Sequence, residues 1–223
     1  MAEPEAPVPA LLVVGAHYDA NPGTPGADDN ASGVAVLLEV ARLLGAGRPR
    51  NLLLAAFGTE ETQGTDDKGS FALARRLREE GRAVAAMLSL EMLGYFRDTP
   101  GSQRFPLPGL GTCYGRRGDF LAVVSDLGAL RFARACACRL RRAGGVPVRT
   151  FCGPAAMPGI HWSDHASFRR LRVPAAMLTD TAFHRNPHYH RRSDLPDTLD
   201  YPRMAAAAGM IARAVSAWPS PRS

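Results

Sequence analysis

Four short stretches and one histidine-rich segment carry side chains able to do chemistry. They are His17 and Asp19 in "AHYDA", Asp28 and Asp29 in "GADDNASG", Glu60 and Glu61 in "AFGTEE", Glu91 in "SLEML", and the histidines of "HRNPHYHRRSD" (184–194). An Asp-Asp-Asn run between glycines makes a good turn and a poor core, so taken alone it reads as a solvated loop. Its company argues for more. Imidazole and carboxylate groups together suit Zn²⁺ or a similar divalent ion. Two such ions sharing one carboxylate can clamp a bridging hydroxide and a developing oxyanion. That chemistry needs one bridging ligand and one spare carboxylate as base, and an adjacent Glu-Glu pair offers a ligand and a base together. The candidates on residue type are His17, Asp29, Glu61, Glu91 and one histidine from 184–194.

Such residues act together only if the fold gathers them. Apolar runs at 10–16, 51–57, 83–93, 120–125, 147–151 and 172–179 read as strands, and 33–44, 70–79, 127–143 and 200–217 as helices. This alternation predicts an α/β domain, a three-layer α/β/α sandwich around a mixed, mostly parallel sheet. His17 and Asp19 end the first strand, Glu60 and Glu61 follow the second, and Glu91 ends the third. Ligands of open α/β sheets collect beyond the carboxyl ends of the strands. Three strands therefore deliver acids and an imidazole to one sheet edge, and the loop holding Asp28 and Asp29 starts from it. Ser32 falls near the N-cap of the helix that follows. Residues 94–119 form the longest irregular connection.

The chain has 223 residues, 46% hydrophobic and 22% charged, which is a globular composition and one expected domain over 1–223, with 1–9 and 218–223 as disordered ends. The net charge of +6 raises the question of a nucleic-acid partner. The Arg-rich stretch from Arg131 to Arg149 holds a single aromatic, Phe132, and no nucleic-acid motif, so it reads as a solvated face. No apolar run is long enough for a membrane span, and no signal peptide is seen. The expected location is cytoplasmic as the sequence stands, or secreted if the true start lies upstream. Cys113, Cys136, Cys138 and Cys152 show neither CxxC nor zinc-knuckle spacing and are expected to be reduced, buried thiols.

The ordered blocks "AHYDA", "GADDNASG", "AFGTEE", "SLEMLGY", "SDHASF" and "RNPHYHRRSDLPDTLDY" resemble the di-zinc aminopeptidase and glutamate carboxypeptidase-like metallopeptidase family over roughly residues 11–215. The resemblance implies two zinc ions per chain. His17 and Glu91 would hold one, Glu61 and His190 the other, and Asp29 would bridge them. Glu91 stands where the family usually carries Asp. Glu60 would be the general base, Asp19 would hydrogen-bond a ligand, and Tyr189 would donate to the oxyanion. Asp28 reads as a turn residue or a support behind the ligands, His188 as the alternative to His190, and Asp164–His165 as pocket wall or the anchor of a loop. Asp194 and Asp197 read as cap and turn acids before the last helix.

Three departures stand out. "TQGTDDKGS" is longer than the family's run after the Glu pair, and "HRRSD" adds charge near the site. Only about ten residues precede the first strand, where the family has a helix and one or two strands, so N-terminal elements of the sheet are expected to be missing. The implied activity is removal of N-terminal residues from a peptide substrate. The competing readings are glutaminyl cyclisation, carboxypeptidase action through Arg191 or Arg192, and a catalytically inactive truncated binding module. Oligomeric state is not legible.

Overall fold

A computed structural model describes residues 9–61 and 68–218. Most of the expected disordered ends, 1–8 and 219–223, lie outside the described residues. Six strands form one sheet, β1 (Leu11–His17), β2 (Leu52–Phe57), β3 (Val84–Glu91), β4 (Leu121–Asp126), β5 (Val148–Gly153) and β6 (Ala175–Thr179), in the order β2-β1-β3-β6-β4-β5. The helices are α1 (Gly33–Leu44), α2 (Gly69–Glu79), α3 (Leu110–Tyr114), α4 (Leu130–Ala143), α5 (His165–Arg170) and α6 (Tyr201–Ser216). Every strand pair is parallel except β4 with β6. The sheet is therefore mixed and mostly parallel, as the alternation of elements predicts.

The strand sequences are continuous apolar runs because both sheet faces are covered. All seven residues of β1 are buried. On one face Leu12, Val14, Leu88 and Leu90 pack against Val36 and Val40 of α1, Phe132 and Leu140 of α4, and Met210 and Ile211 of α6. On the other face Leu11, Val13 and Met87 meet Ala74 and Leu77 of α2 and Phe168 of α5. Each such side chain contributes roughly 1.5–3 kcal/mol by leaving water. Beyond α5 that second face has no long helix. Phe120, Val124 and Met177 are covered there by Ile160, Phe105 and Met157 from loops.

Boundaries follow local chemistry. α1 stops at Gly45, whose φ of 49° lies in the region open to glycine. The run 172–179 becomes a strand only at Ala175, since Pro174 has no N–H to give to the sheet. α3 and α5 have five and six residues, too few to show a periodicity in the sequence. Of the cysteines only Cys136 is buried, Cys113 is exposed, and all four are free thiols, which corrects the expectation that all are buried. No helix among the described residues is long and apolar enough to cross a membrane.

Candidate metal centre

β1, β2 and β3 are neighbours, with His17 opposite Phe57 and Gly15 opposite Ser89, so their carboxyl ends share one edge. There the structure gathers all five ligand candidates. Nε2 of His17 lies 3.4 Å from Oδ1 of Asp29 and 3.4 Å from Oε1 of Glu91. Nε2 of His190 lies 3.1 Å from Oδ2 of Asp29 and 3.4 Å from Oε1 of Glu61. Asp29 thus turns one oxygen to each trio. One donor atom each from His17, Asp29 and Glu61 falls within 4.8 Å of the others.

The donors fit a cation. Neither oxygen of Asp29 receives a hydrogen bond, although the residue is only 3% exposed. Its close contacts are the ring nitrogens of His17 and His190, and a buried carboxylate without a hydrogen bond is costly unless positive charge meets it. A tetrahedral zinc with bonds of about 2.0–2.1 Å has ligand atoms about 3.3 Å apart, close to the 3.1–3.4 Å seen here. Nδ1 of His17 donates to the backbone carbonyl of Asp19 at 3.0 Å, which leaves Nε2 to face the acids.

The supports come from distant segments. The Asp19 carboxylate accepts the backbone N–H groups of Glu60 (3.1 Å) and Glu61 (3.0 Å). That of Asp194 accepts those of Asp28 (2.9 Å) and Asp29 (3.1 Å). Asn21 donates to Oε2 of Glu61 at 3.1 Å, and Ser163 donates to Oε2 of Glu91 at 2.7 Å. Lys68 grips Oε1 of Glu60 at 2.6 Å. Asp28 faces away from the trios, accepting from Gly94 N–H and from Asn186. Thr59, Met92 and His190 hold φ of 62°, 51° and 55° beside or within the cluster. Left-handed backbone at such residues costs of order 1–3 kcal/mol each, and it gathers where function constrains the chain.

Charge balance points the same way. Burial lifts Glu91 to about 7, with His17 pulling against it. Burial also raises Glu61, and the charge of Asp29 adds to it. Burial opposes a charge on His17, but Glu91 and Asp29 outweigh it and raise the ring far above its ordinary range. His190 is raised chiefly by its contact with Asp29. Against its burial, the same two imidazoles hold the Asp29 carboxyl down, at about 2, so the raised Glu61 and Glu91 are the acids left short of positive charge, which divalent cations would supply.

The sequence pattern of peptidase family M28 matches residues 1–215. The chain belongs to that family. An uncharacterised Escherichia coli protein, YfbL, is 41% identical over 206 residues, covering 87% of this chain and 63% of its own length. A probable leucine aminopeptidase of Arthroderma otae is 30% identical, covering 87% of this chain and 50% of its own. The LapA aminopeptidase of Legionella pneumophila superposes with a TM-score of 0.71 at 25% identity, over 93% of this chain and 51% of its own. The Porphyromonas gingivalis glutaminyl cyclase shares the fold, with a TM-score of 0.66 at 21% identity. This M28 chain therefore spans between half and two thirds of the curated relatives it matches.

Other site candidates separate in space. His188 bonds to Ser193 and packs edge-on against Tyr95, away from Asp29. His161 pairs with Asp126 at 3.3 Å, and His165 contacts the carbonyl of Ile160 at 2.7 Å. Tyr189 stacks on His190, with ring centroids 3.8 Å apart. Burial, then the charges of Asp29, Glu61 and Glu91, push its hydroxyl upward, so it keeps its proton. Arg191 and Arg192 are exposed. Asp164 is fully buried, and burial lifts it to about 7.

Sequence reasoning missed four supporting residues. Asn21, Lys68 and Ser163 gave no signal of their own. Asp194 does not cap the last helix, because Asp200 does, accepting the N–H of Arg203. Ser32 stands at the start of α1, but its hydroxyl donates to the carbonyl of Asp28 and accepts the N–H of Leu93 instead of capping the helix. Beside Glu91 and Tyr189 opens an apolar recess, walled by the 94–119 and 151–165 connections as well as the sheet.

Proposed function

We propose that this chain is a two-zinc aminopeptidase that removes N-terminal residues from peptides. The observation that carries this reading is Asp29, buried, without a hydrogen bond, and turning one oxygen to each of two His–carboxylate trios. His17 and Glu91 would hold one zinc, His190 and Glu61 the other, and Asp29 would belong to both. When bound, the pair would acidify water and polarise the scissile carbonyl.

The residues around it do the rest. Glu60 takes the proton of the attacking water and passes it to the leaving amine. Asp19 holds its backbone, and Lys68 occupies Oε1, so the proton goes to Oε2. Tyr189, kept protonated, donates to the oxyanion. The surrounding acids favour an ammonium over a carboxylate, and hence a free N-terminus over a C-terminus, while the apolar recess suits a large apolar first side chain.

The test is Glu60→Gln. The variant should retain about two zincs per chain and lose kcat by about 10²–10⁴-fold. Retained turnover would remove Glu60 as base. Running free and N-acetylated aminoacyl substrates beside glutamine-terminal peptides separates the alternatives. Cleavage of blocked substrates would favour a carboxypeptidase. Cyclisation with one zinc per chain would favour the cyclase chemistry named for the Porphyromonas gingivalis protein, and peptide binding without turnover a binding module.

A further inference from the structure

We infer that the recess beside the metal centre ends in a cationic selector, Arg149, which favours an aromatic first residue carrying an anionic or hydrogen-bond-accepting group at its para position. This rests on the aminopeptidase reading and names its substrate class.

The argument begins with strand register. Glu91 pairs with Thr179, Thr179 with Ala122, and Ala122 with Arg149. The four residues form one row across β3, β6, β4 and β5. At about 4.8 Å per strand, the Cα atoms of Glu91 and Arg149 stand about 14 Å apart. β4 runs against β6, so β4 and β5 begin at the edge where β3 and β6 end. Arg149 is thereby brought to the reaction side of the sheet, one end of a row whose other end is a metal-ligand candidate.

Between those ends stand only the small side chains of Thr179 and Ala122, which leave a trough. Its flanks are apolar, with Met177, Val124 and Phe151 in the next row and Phe120 beside Arg149. Among the described residues Glu91 is the only acid lining the recess, and it is engaged by His17 and Ser163. The Arg149 guanidinium makes no ion pair or hydrogen bond with another described residue. It lies over the ring of Phe120, 5.9 Å from the centroid. Arg149 is exposed at the mouth-side end of the trough, where its unpaired guanidinium offers a forked donor to an incoming acceptor. A leucine side chain stops short along this trough. A phenyl ring extends further, and its para substituent points toward the cation.

The test uses the zinc-loaded full chain and the p-nitroanilides of leucine, 4-methylphenylalanine, tyrosine and 4-carboxyphenylalanine. The kcat/KM of the 4-carboxy substrate should exceed that of the 4-methyl one by about tenfold, as a charge-assisted hydrogen bond allows, and added salt should shrink the ratio. Arg149→Met should bring the ratio to one or below, with Arg149→Lys between. A wild-type ratio of one or less overturns the inference while leucine turnover leaves the peptidase reading standing. A ratio unchanged in Arg149→Met overturns it equally. If Arg149→Met is inactive on every substrate, the wild-type ratio and its salt dependence decide. Absence of turnover on all four substrates removes the peptidase reading and this inference with it.

Discussion

Removing the Asp194 carboxylate should loosen the metal centre from behind. It accepts the N–H groups of Asp28 and Asp29 at 2.9 and 3.1 Å, and those residues are 0% and 3% exposed. Asp194→Ala leaves two buried donors unsatisfied, at about 1–3 kcal/mol each. Burial also raises the Asp194 carboxyl, so relief of its desolvation offsets part of the loss. A net destabilisation of about 2–4 kcal/mol follows, or roughly 5–15 °C in Tm for a chain of this size. Asp194→Asn keeps one acceptor and should lose less. Because the clasp also holds Asp29, zinc affinity should fall about 10–100-fold. Thermal unfolding of the chelator-treated protein and competition with a zinc indicator read the two effects. A Tm within about 2 °C of wild type together with unchanged zinc affinity would refute the reasoning.

Two further outcomes are expected. Burial first of all lowers His165 to about 4 from the ordinary 6.5. Between those values the unfolded chain binds more protons than the folded one. This contribution to stability is therefore full above about pH 6.5 and is lost toward pH 4, by roughly 3 kcal/mol. Urea unfolding of wild type and His165→Gln should show their stability difference shrinking by about 2–3 kcal/mol between pH 7 and pH 4.5, and a constant difference would contradict it. Stripping metal should lower Tm by roughly 8–16 °C relative to protein holding zinc at a thousand times its Kd. Equal Tm values with and without zinc would count against the centre.

The fold was legible because its signals are local. The apolar runs and the helical spacing of Val36 and Val40 are visible within a dozen residues. His17, Asp29, Glu61 and Glu91 stood out through residue type and position, the family resemblance chose His190 among the histidines of 184–194, and the structure brings the five together. What remained hidden depends on pairing at long range. Asp194 and Asp28 are 166 residues apart, and Ser163 and Glu91 are 72 apart. A lone Asn, Ser or Lys in a loop has no periodicity and no motif, so nothing marks Asn21, Ser163 or Lys68 until the chain has folded. The reversal of β4 was equally hidden, because an apolar run has no direction.

That reversal divides labour across the sheet. β1, β3 and the loops after β1 and β2 bring His17, Asp29, Glu61 and Glu91 to the candidate centre, while β4, β5 and β6 line much of the recess beside it. The Glu91–Thr179 neighbours join the two halves at the working edge. None of the candidate ligands lies on β4 or β5, so under the proposed reading residues there can change, and preference with them, without disturbing the centre. Descendants of one ancestor could acquire different diets by revising a single flank of the molecule.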